Sequence, residues 1–252
     1  MIDLDGKTVL VTGASRGIGA AIARAVAHAG GRIIAHYGRS EAAANALRDE
    51  IGADACLPIQ ADLADPVSVA GLWPGACALT SPIDVLINNA GVFEPAPVDA
   101  ATDEWDTAWH RVMQINLFAP AELCRAAILD FRKWGGGRII NISSRAAHRG
   151  DAPDQMPYAA SKGALVALTK TIARGYAGDG ILAFGIAPGF TATEMATESL
   201  DAEGMARTVA EIPLGELAPP DEIGTLAAFL CSDGARHLTG STLDVNGASY
   251  VR

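Results

Sequence analysis

Two side chains in the second half of the chain, Tyr158 and Lys162, are spaced for acid–base chemistry. They lie in residues 157–177, where apolar residues recur at helical spacing, and residues four apart stand on one face of a helix. A phenol with a pKa of about 10 exchanges protons poorly at neutral pH unless a nearby cation favours its ionised form. The pair predicts a catalytic tyrosine whose pKa is lowered by Lys162. The same spacing also occurs on surface helices, where the tyrosine merely packs and the lysine is solvated.

A serine lies where it can reach this tyrosine. Ser144 ends the segment Asn-Ile-Ser-Ser, fourteen residues before Tyr158, at the carboxyl end of a predicted central strand over residues 138–143. Ligands of open α/β sheets bind outside that edge. Ser144 is therefore a candidate partner of Tyr158.

A glycine-rich turn, residues 12–19, separates the first predicted strand from the first predicted helix. A helix N-terminus offers free N–H groups, and glycines allow a pyrophosphate to approach the backbone closely. The spacing is G-x-x-x-G-x-G rather than G-x-G-x-x-G, and an ordinary glycine-rich turn is the alternative. The position of the turn between strand and helix favours nucleotide binding.

The end of the second predicted strand indicates which nucleotide. Dinucleotide sites usually place a carboxylate there for the ribose 2′-hydroxyl, whereas an arginine accommodates a 2′-phosphate. Here no carboxylate occurs until Glu41, and Arg16 and Arg39 are both near. These residues predict NADP(H) rather than NAD(H), unless both arginines are only solvated surface residues.

The elements that position these residues alternate along the chain. Predicted strands cover residues 8–12, 32–36, 55–60, 85–88, 138–143, 182–187 and 242–245, and predicted helices cover 18–29, 41–51, 67–72, 103–134, 157–177 and 221–230, with a break or kink at Pro120. Such alternation indicates repeated βαβ units. We predict one α/β domain, residues 1–252: a doubly wound Rossmann fold with a seven-stranded parallel sheet and helices on both faces.

Composition excludes several other classes of protein. The chain has 29 acidic and 19 basic residues and a formal net charge of −10, which argues against nucleic-acid binding. The four cysteines stand far apart without metal-ligand spacing, so we expect reduced thiols and no metal site. The first residues lack an apolar export segment, and no apolar run approaches the about 18 residues of a membrane span. These features predict a cytoplasmic protein without a membrane partner.

Together these motifs resemble the short-chain dehydrogenase/reductase family from residue 12 to residue 245. Further matching motifs, in the same order as in the family, are Asp62-Leu63, Asn88-Asn89-Ala90-Gly91, Asn116, Pro188-Gly189, Thr239-Gly240 and Asn246-Gly247. The resemblance implies hydride transfer between nicotinamide and a carbonyl or alcohol. In it Tyr158 is the general acid in reduction, Ser144 holds the substrate oxygen, Lys162 lowers the pKa of Tyr158 and binds ribose, and Asn116 supports a water. The implied cofactor-binding residues are Gly13, Ser15, Arg16, Gly17, Ile18, Gly19, Tyr37, Arg39, Asp62, Leu63, Asn89, Ala90, Gly91, Tyr158, Lys162, Pro188, Gly189, Thr191 and Thr193.

The serine departs from the pattern of the family. Its members often carry this serine thirteen residues before the tyrosine, where this chain has Arg145. The surrounding sequence indicates Ser144 and one extra loop residue, and Ser143 is the alternative.

Three loops are expected to shape the substrate site: residues 92–98, 145–157 and 190–214. The last resembles a mobile lid, and its apolar residues Phe190, Met195 and Met205 could instead belong to a stable helix pair. The helical stretches 103–134 and 157–177 are more apolar than one core face requires, and the resemblance suggests pairing between subunits in a homotetramer.

Within the family, the chain resembles 3-oxoacyl-[acyl-carrier-protein] reductases. These carry basic residues that dock an acidic carrier protein, whereas this chain has Gly-Asp-Gly at 178–180 and Trp-Gly-Gly at 134–136. An NAD(P)-dependent dehydrogenase or reductase of a small ketone, polyol or sugar is therefore an alternative, and a non-catalytic nucleotide-sensing protein is an alternative of another class. The presence of Ser144, Tyr158, Lys162 and Asn116 favours an enzyme, and NADP(H) favours the reductive direction.

Overall fold

Short β-branched segments alternate with helices along the chain, and the strands assemble into one parallel sheet. The computed structural model describes residues 2–194 and 201–252. The strands are β1 (Thr8–Val11), β2 (Arg32–Tyr37), β3 (Cys56–Gln60), β4 (Val85–Asn88), β5 (Gly137–Ile142), β6 (Ile181–Pro188) and β7 (Thr242–Val245). The helices are α1 (Gly17–His28), α2 (Glu41–Ile51), α3 (Pro66–Leu79), α4 (Thr102–Met113), α5 (Ala119–Trp134), α6 (Ala146–Arg149), α7 (Met156–Tyr176), α8 (Ala202–Ala210) and α9 (Pro220–Cys231). The predicted doubly wound α/β fold is confirmed.

The strand order creates a crevice at the carboxyl edge of the sheet. The order is β3-β2-β1-β4-β5-β6-β7, and every neighbouring pair is parallel. The order reverses between β1 and β4, and ligands of open α/β sheets bind at this switch point. The glycine turn follows β1 and Ser144 follows β5, so both motifs lie at the edge where a ligand is expected.

Helices cover both faces, which explains why the strands are apolar on both sides. One layer of the core packs α1 and α9 against Val9, Val11 and Ile186, and the other packs α3, α5 and α7 against Leu10, Leu86 and Ile139. Helices α1 and α9 touch so closely that a Cβ at Gly224 would lie 2.6 Å from the Ala21 carbonyl oxygen.

Helix α3 is longer than predicted. The predicted helix covers residues 67–72, but the helix runs from Pro66 through Pro74 to Leu79. Proline removes one hydrogen bond from the helix. Four buried side chains, Val69, Leu72, Trp73 and Ala76, fix α3 to the core on both sides of Pro74, so tertiary packing outweighs that loss.

The predicted interruption near Pro120 takes the form of a π-helical segment. Residues Gln114–Phe118 join α4 to α5, and the N–H of Ala119 donates to the carbonyl of Gln114. Pro120 then falls directly after this wide turn, in the first turn of α5. The wide turn contains the buried Asn116.

Among the described residues, the continuous stretch Thr102–Trp134 is long and apolar enough to pass a test for a membrane span. Its most apolar window has a mean hydropathy of 1.2, and half of that window is buried inside the protein. Core helices pass the same test, so this finding is weak evidence for a membrane segment.

The segment expected to form a lid is partly described. Residues 195–200, including Met195, lie outside the described residues. Before them, Phe190 and Ala192 exchange backbone hydrogen bonds with Ala218. After them, the Asp201 carboxylate accepts a bond of 2.7 Å from the N–H of Gly204 at the start of α8.

Candidate functional site

A single continuous cleft lies along the carboxyl edge of the sheet and brings the predicted motifs together. Its lining includes Ser144, Tyr158 and Lys162 and every expected cofactor-binding residue except two. The exceptions are Ser15 and Tyr37. The turn presents its glycines and Arg16 to the cleft rather than Ser15, and strand alternation directs Tyr37 away from the face on which His36 lies.

The glycine turn is a cradle that side chains would fill. Gly13 has a φ of +65°, and a Cβ there would lie 3.0 Å from the Cα of Ala90. A Cβ at Gly19 would overlap the carbonyl of Gly13. The Asn89 side-chain amide donates to the carbonyls of Thr12 and Gly13, at 2.9 and 3.1 Å, which ties the turn to the end of β4. Among the described residues no side chain caps α1, so its first N–H groups face an anion site.

His36 of β2, which the sequence reasoning missed, binds the backbone of this turn. The N–H of Gly13 donates to Nδ1 at 3.0 Å, so the proton resides on Nε2, which lies 3.0 Å from the carbonyl of Ala61. Burial lowers the pKa of His36 to about 4, and the ring is neutral at physiological pH. A polar residue in an otherwise apolar strand was the signal that could have identified it.

The adenosine end of the cleft fits a phosphorylated ribose. Arg16, Gly38, Arg39 and Ser40 line it, and Asp62 and Leu63 lie beside them. The Arg16 guanidinium lies 3.7 Å from the Glu194 carboxylate, and both side chains are largely exposed. Two cations and a hydroxyl suit a 2′-phosphate, and the uncapped α1 suits a pyrophosphate.

The acid–base pair lies at the other end of the cleft. The Lys162 ammonium donates to the carbonyl of Ile142 at 2.8 Å and lies 5.8 Å from the centre of the Tyr158 ring. Burial lowers the pKa of Lys162 to about 8. Burial also raises the pKa of Tyr158, and a hydrogen bond with Ser144 opposes that rise. The expected lowering by Lys162 is thus absent from the chain alone, and Tyr158 holds its proton at neutral pH.

The two candidate serines have different partners. The Ser143 hydroxyl donates to the backbone carbonyl of Lys162 at 3.0 Å. The Ser144 oxygen accepts the N–H of Ala146 at 3.1 Å and interacts with Tyr158. Ser143 is therefore committed to the β5–α7 contact, while Ser144 lies in the cleft beside Tyr158.

Comparisons with known proteins agree with this geometry. A family model described as enoyl-(acyl carrier protein) reductase matches residues 13–248. The 3-oxoacyl-[acyl-carrier-protein] reductase of Vibrio cholerae is 36% identical over 250 residues, which are 99% of this chain and 100% of that protein. The chain belongs to the short-chain dehydrogenase/reductase family. It is an NAD(P)-dependent oxidoreductase.

Two solved structures of this family are close in shape. One, from Beutenbergia cavernae, is assigned as an NAD(P)-dependent gluconate 5-dehydrogenase and contains NADP at low occupancy; it has a TM-score of 0.90, 36% identity and covers 98% of both chains. The other, a blue fluorescent protein from a metagenomic library in complex with NADPH, has a TM-score of 0.89 and 36% identity and covers 99% of this chain and 100% of its own.

Asn116 differs from the other predicted catalytic residues of this short-chain dehydrogenase/reductase because it does not line the cleft. Its amide accepts the N–H of Val92 at 2.8 Å and donates to the carbonyl of Val92 at 2.9 Å and to Ser161 at 3.2 Å. In the chain alone it anchors the strand-end loop to α7, because the π-helical turn directs it inward.

The argument from Asp179 against a 3-oxoacyl substrate is not supported within one subunit. Asp179 precedes β6 and residues 134–136 precede β5, so both positions lie at the amino edge of the sheet, opposite the cleft. In addition, the Asp179 carboxylate accepts a hydrogen bond of 2.6 Å from Arg132. Among residues 2–194 and 201–252, no cluster of side chains is placed to hold a metal ion.

Proposed function

We propose that the chain is an NADPH-dependent reductase of carbonyl compounds, with 3-oxoacyl thioesters as the leading substrate class. The observation that carries this proposal is the convergence of Ser144, Tyr158 and Lys162 on the cleft that also contains the glycine cradle. NADPH supplies the hydride when it is bound. The names of the relatives support the 3-oxoacyl class.

Ser144 and Tyr158 are proposed to act together on the carbonyl oxygen. As the carbonyl carbon accepts the hydride, its oxygen gains negative charge, and the Tyr158 hydroxyl transfers a proton to it. Ser144 donates a hydrogen bond to the same oxygen and stabilises the developing charge. The raised pKa of Tyr158 favours this role, because the proton is present before the reaction.

Lys162 and Asn116 are proposed to supply the proton route and the ribose contact. Gly91 leaves room for both: a Cβ there would lie 3.3 Å from the Lys162 ammonium and 3.3 Å from the Asn116 carbonyl oxygen. Lys162 would bind the nicotinamide ribose and return a proton to Tyr158, and Asn116 would support a water beside Lys162.

The 2′-phosphate is proposed to lie between Arg16, Arg39 and Ser40. The charge of the arginines offsets the cost of removing that anion from water, and the hydroxyl of Ser40 supplies a further donor. The described parts of the expected lid, residues 190–194 and 201–214, are proposed to close over the substrate, since Phe190, Thr191 and Thr193 line the cleft.

A homotetramer in the cytoplasm completes the proposal. Phe118 and Leu129, on the helical stretch expected to pair between subunits, are 55% and 47% exposed, as unpartnered interface residues would be. Light scattering is expected to give the mass of four chains, and a mass of one chain would contradict this assembly.

Removing the Tyr158 hydroxyl tests the reaction itself. We expect Tyr158→Phe to lower kcat about 10²- to 10⁴-fold, because the proton donor is lost. The assay follows NADPH oxidation with 3-oxoacyl thioesters, simple ketones, quinones and sugar lactones, with NADH in parallel. Tyr176→Phe, at the far end of α7, is the matched control. Unchanged turnover of Tyr158→Phe across substrates would favour the nucleotide-sensing alternative.

The two serines give a second test on the same assay. Ser144→Ala is expected to lower kcat about 10²- to 10³-fold, since it removes the donor to the oxyanion. Ser143→Ala is expected to reduce stability more than turnover. The opposite ranking would transfer the catalytic role to Ser143.

Cofactor choice is tested with Arg39→Ala. We expect the Kd for NADPH to rise about 10- to 100-fold and the Kd for NADH to stay within a factor of three, because only NADPH carries the 2′-phosphate. Arg48→Ala, on the outer surface of α2, serves as the control, and fluorescence titration supplies both constants. Tighter binding of NADH than of NADPH by the unaltered protein would overturn the assignment.

The pH dependence of reduction should follow Lys162. Burial lowers its pKa to about 8, so the ammonium is present below pH 8 and is lost above it, whereas the raised pKa of Tyr158 keeps the phenol protonated there. We therefore expect kcat/KM for reduction to fall about tenfold per pH unit above pH 8. A descending limb that begins only above pH 10 would assign control to Tyr158 instead.

A further inference from the structure

The substrate end of the cleft contains an arginine that no part of the proposed reaction uses. Arg145 follows Ser144 directly, lines the cleft and is 7% exposed. Its backbone N–H donates to the carbonyl of Pro188 at 2.9 Å, which fixes the residue between β5 and β6. A nearly buried cation therefore lines the same cleft as Ser144, the residue that is proposed to hold the substrate oxygen.

Among the described residues, the guanidinium of Arg145 lacks the anionic partner that buried arginines normally have. Within the described ranges it makes no hydrogen bond and no ion pair, and its Nη1 is enclosed. Its main contact is the ring of Phe190, whose centre is 4.6 Å from the guanidinium carbon. An arginine keeps its charge in proteins, and a buried charge without a counter-charge is unfavourable. Within this part of the free protein, the charge of Arg145 is therefore without the counter-charge that would stabilise it.

The neighbouring charges leave Arg145 available to an anion. Arg149, one turn further along α6, lines the same cleft and lies 3.9 Å from the Glu211 carboxylate. Asp151 also lines the cleft, and it is exposed. Burial and Arg149 lower the pKa of Arg145, while Glu211 and Asp151 raise it. An incoming carboxylate would compete only with a solvated Asp151 and a Glu211 already paired with Arg149.

We infer that Arg145 binds a carboxylate of the substrate, so that the preferred substrate is an oxo acid or the corresponding hydroxy acid. The planar guanidinium matches a carboxylate in two parallel hydrogen bonds. The Phe190 ring lies against the guanidinium, 4.6 Å from its carbon, and limits its movement. Because Arg145 adjoins Ser144, the carboxylate and the reacting carbonyl are recognised by consecutive residues. This inference rests on the proposed reductase activity, and it makes oxo acids the preferred substrates in place of 3-oxoacyl thioesters, whose acyl group carries no free carboxylate.

The reaction stays the same and is balanced. Hydride from NADPH adds to the carbonyl carbon, the carbonyl oxygen takes a proton from Tyr158, and solvent restores that proton, giving the hydroxy acid and NADP⁺. Arg145 forms and breaks no covalent bond. Its contribution is to binding, so its loss should appear in KM rather than in kcat.

The test compares each acid with its uncharged ester. The substrates are 2-oxobutanoate, acetoacetate and 4-oxopentanoate, each beside its methyl ester, with NADPH oxidation as the readout. For the unaltered protein we expect kcat/KM of at least one acid to exceed that of its ester about tenfold or more. Arg145→Gln should raise KM for that acid about 10- to 100-fold. The kcat for the acid, and kcat/KM for the ester, should each stay within a factor of three of the values for the unaltered protein.

Two further variants separate recognition from structure. Arg145→Lys retains the charge without the paired geometry and should keep part of the preference for the acid. Arg48→Gln removes an equal charge from the surface and should change kcat/KM for neither the acid nor the ester. The inference would be overturned if Arg145→Gln lowered kcat/KM equally for acid and ester, or if the unaltered protein showed no preference for the acid.

Binding measurements distinguish failure of this inference from failure of the proposed function. In the presence of NADP⁺, the preferred oxo acid should raise the melting temperature of the unaltered protein more than its ester does, and Arg145→Gln should remove the difference. If this binding is seen without NADPH oxidation, the reductase proposal fails and the carboxylate site stands. If esters and thioesters are reduced and no acid binds, the carboxylate site fails and the reductase proposal stands.

Discussion

The geometry of the proposed active site depends on a buried chain of hydrogen bonds that joins α7 to the centre of the sheet. Asn88 of β4 donates to Asn141 of β5 at 2.8 Å, Asn141 donates to Thr169 of α7 at 2.8 Å, and the Thr169 hydroxyl donates to the carbonyl of Leu165. Buried amides are costly unless they are paired, so this network specifies one position of the helix on the sheet. Tyr158 and Lys162 lie on α7, and their distance from Ser144 follows from that position.

A second set of polar contacts fixes the glycine turn, in the cofactor half of the cleft, to strands β4 and β2. Asn89 follows Asn88 directly and binds the carbonyls of the glycine turn, while His36 binds the same turn from β2. The end of β4 therefore contributes one asparagine to the catalytic helix and the next to the phosphate cradle. This arrangement couples the two halves of the cleft through two adjacent residues at the end of one strand.

The sequence was sufficient for features that depend on local periodicity and on residues present at fixed spacing. The β4 and β7 bounds and the presence of Tyr158 and Lys162 on one helix belong to this class, because apolar spacing dictates them locally. The sequence was insufficient where tertiary packing determines the length of a helix or the direction of a side chain. Pro74 is tolerated in α3 through its buried neighbours, and Asn116 faces away from the cleft because a π-helical turn, invisible in the apolar pattern, rotates it inward.

The charge of the cleft also could not be predicted from composition, because it depends on where the fold places individual charged residues. The net charge of −10 gave no reason to expect a basic substrate site, and Asp179 suggested an acidic rim. Folding instead puts Asp179 at the amino edge beside Arg132 and gathers Arg145 and Arg149 at the carboxyl edge. The field inside a cleft depends on the few charges that line it, because solvent screens the more distant ones. An acidic protein can therefore present a cationic site, and Arg145, which is buried and has no ion pair within residues 2–194 and 201–252, is the charge on which recognition of the substrate would depend.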